Sequence, residues 1–215
     1  MGRLDGAARV ALWSAASECA GPPGVLRRRM IDAHVAPAGS PAGPPDPAAM
    51  TLCFEDIAVG QSLAPLVKGP MHTAHIMRWS AAIENWHRIH YDWRFATGHD
   101  GLPDVLVNGS WKQHVLVQLV KDGLGEGGWL WRLRFRYRAM DVAGDTVFAH
   151  AEVIGKDRVG DHGFVTLRLA LRNQREVVST TGAAIGVLAL RGGPAVPYPF
   201  TPSAEQEALT LPAEE

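Results

Sequence analysis

The sequence has little of what marks several protein classes. Its two cysteines, Cys19 and Cys53, are too few for a disulfide framework, which predicts a reducing, cytoplasmic location. The formal net charge of -1 excludes a whole-chain field that would recruit nucleic acid or an anionic membrane. No apolar run reaches the roughly 20 residues of a membrane-spanning helix. Glycine-rich phosphate loops, Cys-x-x-Cys pairs and nucleophile elbows are also missing, so the functions that those motifs serve are not indicated.

Of the 215 residues, 47% are apolar, which is enough for the core of one domain. The composition changes along the chain and divides it into three parts. Residues 1–49 are rich in alanine, glycine and proline, and we predict a disordered extension there. Residues 50–190 carry the patterns of a folded domain. Gly192-Gly193-Pro194 and further prolines then predict a flexible tail over residues 191–215.

The folded part combines one apolar helix with several strands. The clearest helix is predicted from Ser110, as N-cap, to Asp122, with Gly123 as the stop, and it is apolar on most sides. In Trp129–Arg138 the odd positions are apolar and most even positions are arginine, which predicts a strand with one face in a core. A shorter helix is predicted at residues 73–83, and more strands at residues 62–67, 146–154, 164–172 and 177–190.

Short turns between successive strands predict an antiparallel meander. A mostly buried helix lying along a curved antiparallel sheet is the hotdog arrangement. We therefore predict an α+β fold with a single hotdog, in which the sheet wraps around one long central helix.

The most polar part of the folded region is the octet Asn85 to Asp92, which reads Asn-Trp-His-Arg-Ile-His-Tyr-Asp. It follows the shorter predicted helix and precedes a loop that contains glycine and proline. So many proton-transfer and hydrogen-bonding groups are costly to bury and seldom needed for packing alone. The octet is therefore the predicted site of chemistry.

The octet resembles the MaoC-like, or (R)-specific enoyl-CoA hydratase, family, whose members usually carry an Asp-x-Asn-Pro-x-His-x-Asp pattern. Its second part, His87 to Asp92, is most similar to the branch of mesaconyl-CoA hydratases and type 2 3-hydroxyacyl-thioester dehydratases. The resemblance covers about residues 54–190. It implies a hydro-lyase that acts on an acyl-CoA or acyl-carrier thioester without a further cofactor, as a homodimer or with a second hotdog subunit.

The resemblance also implies residue roles. His90 falls on the family's catalytic histidine, and Asn85 on the position where bacterial hydratases carry aspartate. Gly109 falls where a backbone N–H contacts the thioester carbonyl, and Asn108 replaces the histidine that usually precedes it. Because hydration needs a base for water and donors for the enolate oxygen, a histidine and a helix N-terminus suit the task. Arg88 and His87 are further candidates for substrate binding, although Arg88 is also placed to pair with Asp92.

Other interpretations remain open at this point. A non-catalytic or partner-dependent hotdog subunit is favoured by Asn85 and Asn108, because an amide cannot accept a proton from water. A hotdog thioesterase requires a carboxylate across the pocket, where Asp122 and Glu126 fit poorly. His87, His90, Asp92 and His99 have spacing that permits a metal, but a clear third ligand is missing. The arginines at positions 132, 134, 136 and 138 indicate either a solvated sheet face or a dock for coenzyme A phosphates.

Overall fold

A computed structural model describes residues 52–213 of the chain. The predicted disordered extension over residues 1–49 lies outside the described residues, as does Cys19. The described part contains a five-stranded antiparallel sheet, whose strands are β1 (Leu66–Lys68), β2 (Trp129–Tyr137), β3 (Val147–Val159), β4 (His162–Asn173) and β5 (Val178–Ala189). Its helices are α1 (Thr73–Ala82), α2 (Trp93–Gly98), α3 (Gly109–Leu124) and α4 (Ala204–Glu207), with 3-10 helices at Phe54–Asp56 and Arg88–His90.

The strands follow the order β1-β3-β4-β5-β2. The predicted meander is confirmed for β3, β4 and β5, which pair in succession. It is wrong for β2, which does not pair with β3. Strand β1 pairs with that edge of β3, and β2 pairs with β5 at the far edge of the sheet. The alternation in β4 places Val165, Leu167, Leu169 and Leu171 in the core, each at most 1% exposed. Burying a leucine side chain in this way stabilises the fold by about 1.5–3 kcal/mol.

Helix α3 lies against the inner face of the sheet, which is the predicted hotdog arrangement. Its buried side chains, including Leu116, Leu119 and Val120, share one core with those of β3, β4 and β5. Helix α3 begins earlier than predicted, because Asn108 rather than Ser110 is the N-cap. It also continues past Gly123 to Leu124, and a β-carbon at Gly123 would lie 2.4 Å from Leu63 Cδ1. That glycine serves packing rather than termination, and the helix ends at Gly125, whose φ is +71°.

A bulge in β2 changes which residues face the core. The register shifts between Leu130 and Arg132, so Leu130 packs in the same core as Leu133 and Phe135. Trp131 turns to the outer face, where its ring centroid lies 5.7 Å from that of Phe164. The predicted inward position of Trp131 is therefore wrong, because one extra residue in a strand exchanges its two faces.

The segment 191–213, part of the predicted flexible tail, lies against this outer face of the sheet. Phe200 is 8% exposed and belongs to a cluster with Phe164, Ile185 and Val187. Arg132 donates to the carbonyl oxygen of Leu209, which fixes the segment after α4. The sequence pattern does not predict these contacts, because the prolines and glycines of the segment mark its turns and give no signal for its anchoring side chains, Val196, Phe200, Leu209 and Leu211.

None of the helices formed by the described residues has the length and apolar character that crossing a bilayer requires.

We expect Phe200→Ala to lower the free energy of unfolding by about 3 kcal/mol, because it empties the space among three buried side chains. Urea denaturation followed by circular dichroism would measure the change. The control is Trp93→Ala, an aromatic side chain that is 58% exposed, which we expect to stay within about 0.5 kcal/mol of the unchanged protein. Equal effects of the two substitutions would contradict the anchoring role of Phe200.

Candidate active site

The octet connects α1 to α2 and holds a fixed shape. Helix α1 ends where Glu84 adopts a left-handed φ of +54° and the Asn85 N–H donates to the Ser80 carbonyl oxygen at 2.9 Å. A 3-10 helix then carries His90, and Asp92 caps α2 by accepting from the Phe95 N–H at 3.1 Å. The backbone of the octet is therefore fixed at both ends by the helices that it joins.

His90 is the buried member of the octet, with 6% exposure. Its Nδ1 lies 2.7 Å from the carbonyl oxygen of Leu106. Because a carbonyl only accepts, Nδ1 carries the proton, and Nε2 of the neutral ring keeps its lone pair. Burial lowers the pKa of His90 below its ordinary value, the bond to Leu106 opposes this, and nearby His87 lowers it further. His90 is therefore a neutral base at pH 7, with Nε2 as the basic atom.

Leu106 belongs to a short connecting strand, residues 105–107, that joins three parts of the site. Its N–H donates to the Ile89 carbonyl oxygen at 2.8 Å, so its two backbone groups bind adjacent octet residues. On the other side, Leu106 forms a β-bridge with Val142, and the Val107 N–H donates to the Asp141 carbonyl oxygen at 2.9 Å. The position of His90 therefore depends on this connecting strand.

A buried ion pair supports the same region and was not predicted. Lys112 of α3 lies 2.7 Å from Asp141 Oδ2, and the two side chains are 4% and 0% exposed. Lys112 also donates to the Ala139 carbonyl oxygen at 2.8 Å. The available signal was the helical spacing that places Lys112 on the same face as the apolar residues Val115 and Leu116, because a buried lysine requires a partner.

Asn85 is half-buried, and the oxygen and nitrogen of its amide differ in their hydrogen bonding. Oδ1 accepts from the His87 N–H at 3.2 Å, which closes a turn within the octet. The amide nitrogen has no hydrogen-bond partner in the part of the chain that the structure describes. Asn85 therefore presents a donor rather than an acceptor for a water or substrate oxygen.

Arg88 and His87 serve the shape of the octet in the described structure. Arg88 Nη2 lies 2.7 Å from Asp92 Oδ2, and its guanidinium stacks on the Phe95 ring, 4.4 Å from the centroid. The bond from Arg88 holds the pKa of Asp92 below its usual range. His87 Nδ1 accepts from the Ile89 N–H at 3.4 Å. The substrate-binding roles of Arg88 and His87 stay predictions.

Asn108 is 1% exposed and its side chain is bonded to Ser80 of α1. Its nitrogen donates to Ser80 Oγ at 3.0 Å, and its Oδ1 accepts from that hydroxyl at 3.2 Å. Trp79 of the same helix donates to Ser110 Oγ at 3.0 Å. These bonds fix the start of α3 against α1, so the geometry gives the Asn108 side chain a positioning role.

Gly109 begins α3, and its own N–H and that of Ser110 donate to no other described residue. Free donors and the positive end of the helix dipole coincide at such a start. A β-carbon on Gly109 would lie 2.7 Å from Tyr137 Cζ, so a larger residue would have to displace the end of that side chain. Gly109 follows Leu106 by three residues, which limits their separation to about 11 Å. The His90 ring, which is bonded to Leu106, and the open donors thus lie in one region.

The arginines of β2 face away from this region, on the outer side of the sheet. Arg134 and Arg138, with Arg168 and Arg172 of β4, line a groove of about 290 Å³ that Pro212 and Ala213 close. Arg134 donates to the Pro212 carbonyl oxygen. Part of the arginine stripe therefore holds the C-terminal segment, a use that neither sequence interpretation included.

The predicted alternative of a metal site has no set of ligands here. Among residues 52–213, no group of three histidine, cysteine, aspartate or glutamate side chains is placed to hold a metal ion.

Comparison with known proteins gives one family match, over less than half of the chain, and a shared fold. Residues 64–145, which include every candidate site residue, match the family model described as hydroxyacyl-thioester dehydratase type 2. Curated protein sequences give no match.

Three solved structures illustrate the fold. The (R)-hydratase of A. caviae involved in PHA biosynthesis has a TM-score of 0.56 and 23% identity, covering 61% of this chain and 97% of that one. The MaoC-like dehydratase of Rhodospirillum rubrum has a TM-score of 0.58 and 20% identity, covering 65% and 98%. The ChsH1-ChsH2 complex of Mycobacterium tuberculosis has a TM-score of 0.54 and 23% identity, covering 61% and 98%. Residues 64–145 are thus similar to the type 2 hydroxyacyl-thioester dehydratases, and the described part of the chain shares the hotdog fold of these solved structures.

Proposed function

We propose that the protein catalyses the reversible hydration of an α,β-unsaturated acyl thioester, and the reverse dehydration of a 3-hydroxyacyl thioester. The observation that carries the proposal is His90, whose bond to Leu106 leaves a neutral imidazole with a basic Nε2. The open N–H groups at the start of α3 support it, because the reaction places negative charge on the thioester oxygen. The family match over residues 64–145 includes both features.

In the hydration direction, His90 Nε2 accepts a proton from water as the water oxygen bonds to the β-carbon. The electron pair of the double bond moves toward the thioester, and the carbonyl oxygen becomes an enolate oxygen. The Gly109 N–H stabilises that oxygen with a hydrogen bond and with the dipole of α3. The imidazolium then returns its proton to the α-carbon, which restores neutral His90 and completes the addition of one water molecule.

Asn85 orients the water in this proposal. Its amide nitrogen donates to the water oxygen, which turns the water protons toward His90. An amide does not accept the proton, so His90 acts as the only base of the pair. This differs from the aspartate-containing members that the octet resembles, in which a carboxylate occupies the position of Asn85.

The thioester is carried by coenzyme A or an acyl carrier, and we propose that a second hotdog subunit completes the site. Strand β2 has β5 on one side only among the described residues, and an open strand edge favours pairing with another chain. The second subunit is either a copy of this chain or a different hotdog chain, as in the ChsH1-ChsH2 complex. Light scattering at micromolar concentration would distinguish a dimer from a monomer.

A non-catalytic or partner-dependent subunit is the second candidate function. The observation that favours it is Asn85, which leaves the octet with an amide where a second proton acceptor would stand. Such a subunit would bind acyl thioesters without converting them alone.

We expect His90→Ala to lower kcat for hydration of crotonyl-CoA by about 100- to 10,000-fold, because the base is lost. His90→Gln is the sharper variant, since its amide nitrogen can still donate to Leu106 but cannot take a proton from water. Loss of the enoyl-thioester absorbance measures the rate. His150→Ala, an exposed histidine on β3, is the control and should retain full activity. Full activity in His90→Gln would refute the role of His90.

The pH dependence of kcat/KM should report the lowered pKa of His90. The neutral ring is the active form, so activity should be full above pH 6.5 and should fall only below that ordinary histidine value. The free energy of unfolding should depend on pH in the same direction. Above pH 6.5 neutral His90 carries no penalty, and stability is lost as the pH falls from 6.5 through the lowered pKa, because the unfolded chain binds the proton more readily. An acid limb above pH 6.5 would contradict this assignment.

Asn85→Asp separates the two candidate functions. If the chain is a partner-dependent subunit whose site lacks only a second acceptor, the carboxylate should raise kcat at least tenfold, through restored general-base catalysis. If asparagine belongs to the mechanism, activity should stay equal or fall, since the donor to the water is removed. Crotonyl-CoA turnover by the purified variant, with Asn85→Ala as the matched loss of side chain, gives the comparison.

A further inference from the structure

Tyr137, at the end of β2, lies directly over the start of α3. A β-carbon placed on Gly109 would lie 2.7 Å from the Tyr137 Cζ and 2.9 Å from its hydroxyl oxygen. The phenol therefore sits against the residue whose N–H the proposed function assigns to the thioester oxygen. Any other residue at position 109 would have to displace the phenol of Tyr137, so glycine permits this close contact.

The direction of the Tyr137 side chain follows from its strand. Leu133 and Phe135 of β2 face the core that contains α3, and Tyr137 continues the same alternation. Its ring centroid lies 5.4 Å from that of Phe135. Tyr137 is consequently on the inner side of the sheet, at the end where α3 begins, and on the opposite side from the arginine groove.

The Tyr137 hydroxyl has the properties of an available donor. Tyr137 is 47% exposed, and within residues 52–213 its hydroxyl makes no hydrogen bond. Burial of the ring raises the pKa of Tyr137 above its ordinary value of 10.0, so the hydroxyl keeps its proton throughout the neutral range. Packing alone would need only the ring, which phenylalanine supplies equally well. The hydroxyl adds a donor beside the unoccupied N–H groups of Gly109 and Ser110.

We propose that the Tyr137 hydroxyl is a second hydrogen-bond donor to the thioester carbonyl oxygen, acting beside the Gly109 N–H. This inference rests on the proposed function and adds a residue to it. One oxygen then receives two donors, one from the start of α3 and one from the end of β2. Because charge on that oxygen grows as the enolate forms, the second bond is strongest in the transition state and chiefly raises kcat.

The test is Tyr137→Phe, which keeps the ring against Gly109 and removes only the hydroxyl. We expect kcat for crotonyl-CoA to fall by about 100-fold, the loss typical of one oxyanion donor, with a smaller change in KM. The acid limb of the pH profile, which belongs to His90, should not move. Tyr198→Phe, at an 88% exposed tyrosine, is the matched control and should leave kcat unchanged.

A spectroscopic measurement separates contact with the substrate from a structural role. In His90→Gln, which binds thioester without turnover, the infrared carbonyl band of bound crotonyl-CoA should lie below its position in water, since hydrogen bonds polarise the C=O bond. When Tyr137→Phe is added to His90→Gln, the carbonyl band should move part of the way back toward its position in water. A structural role alone would leave the band in place.

The outcomes distinguish this inference from the proposed function. If the unchanged protein turns over enoyl thioesters and Tyr137→Phe is equally active with an unmoved band, the role of Tyr137 is wrong and hydration stands. If the unchanged protein converts no thioester, the proposed hydration fails, and the carbonyl band with and without the hydroxyl still decides whether Tyr137 contacts the bound thioester.

Discussion

The bond between His90 Nδ1 and the Leu106 carbonyl oxygen is the interaction on which the rest of the site depends. It selects the tautomer of the ring, and it joins the octet to the connecting strand that leads into α3. A side-chain partner would have its own rotamers, whereas a carbonyl within a β-bridge moves only with the fold. The orientation of the base is therefore as rigid as the hotdog core.

The same dependence explains the polar groups buried around the start of α3. Ser80 and Asn108 join α1 to the first turn, and Lys112 with Asp141 joins the second turn to the loop after β2. Each bond crosses between elements that are distant in sequence. A buried ion pair adds little net stability compared with apolar packing, but it specifies one arrangement of its surroundings. Here the specified arrangement includes the backbone on both sides of Leu106.

Periodicity in the sequence was enough to predict the hotdog, because α3 and β4 each bury a face of regular spacing. It failed at Trp131, where a bulge that has no periodic signature exchanges the faces. It also failed at the start of α3, where the N-cap is Asn108 and not the predicted Ser110. In the candidate site, the sequence singles out His90 and Asn85 because the octet concentrates polar groups within one segment, and their catalytic roles stay predictions. Leu106 and Tyr137 are not singled out, since a backbone carbonyl and a strand tyrosine acquire meaning only through neighbours brought together by folding.

Burial of His90 also has a chemical consequence. A lowered pKa keeps the ring neutral, but it makes the ring a weaker base toward water, since proton affinity falls with the pKa. Asn85 does not compensate, because an amide takes no proton. In the proposed hydration, polarisation of the thioester therefore supplies more of the barrier reduction than in a site with a second carboxylate. In that mechanism the N–H donors at the start of α3 stabilise the thioester oxygen, and the burial of α3 against the sheet sets their position. The proposed catalysis thus depends on the helix that also forms the core of the fold.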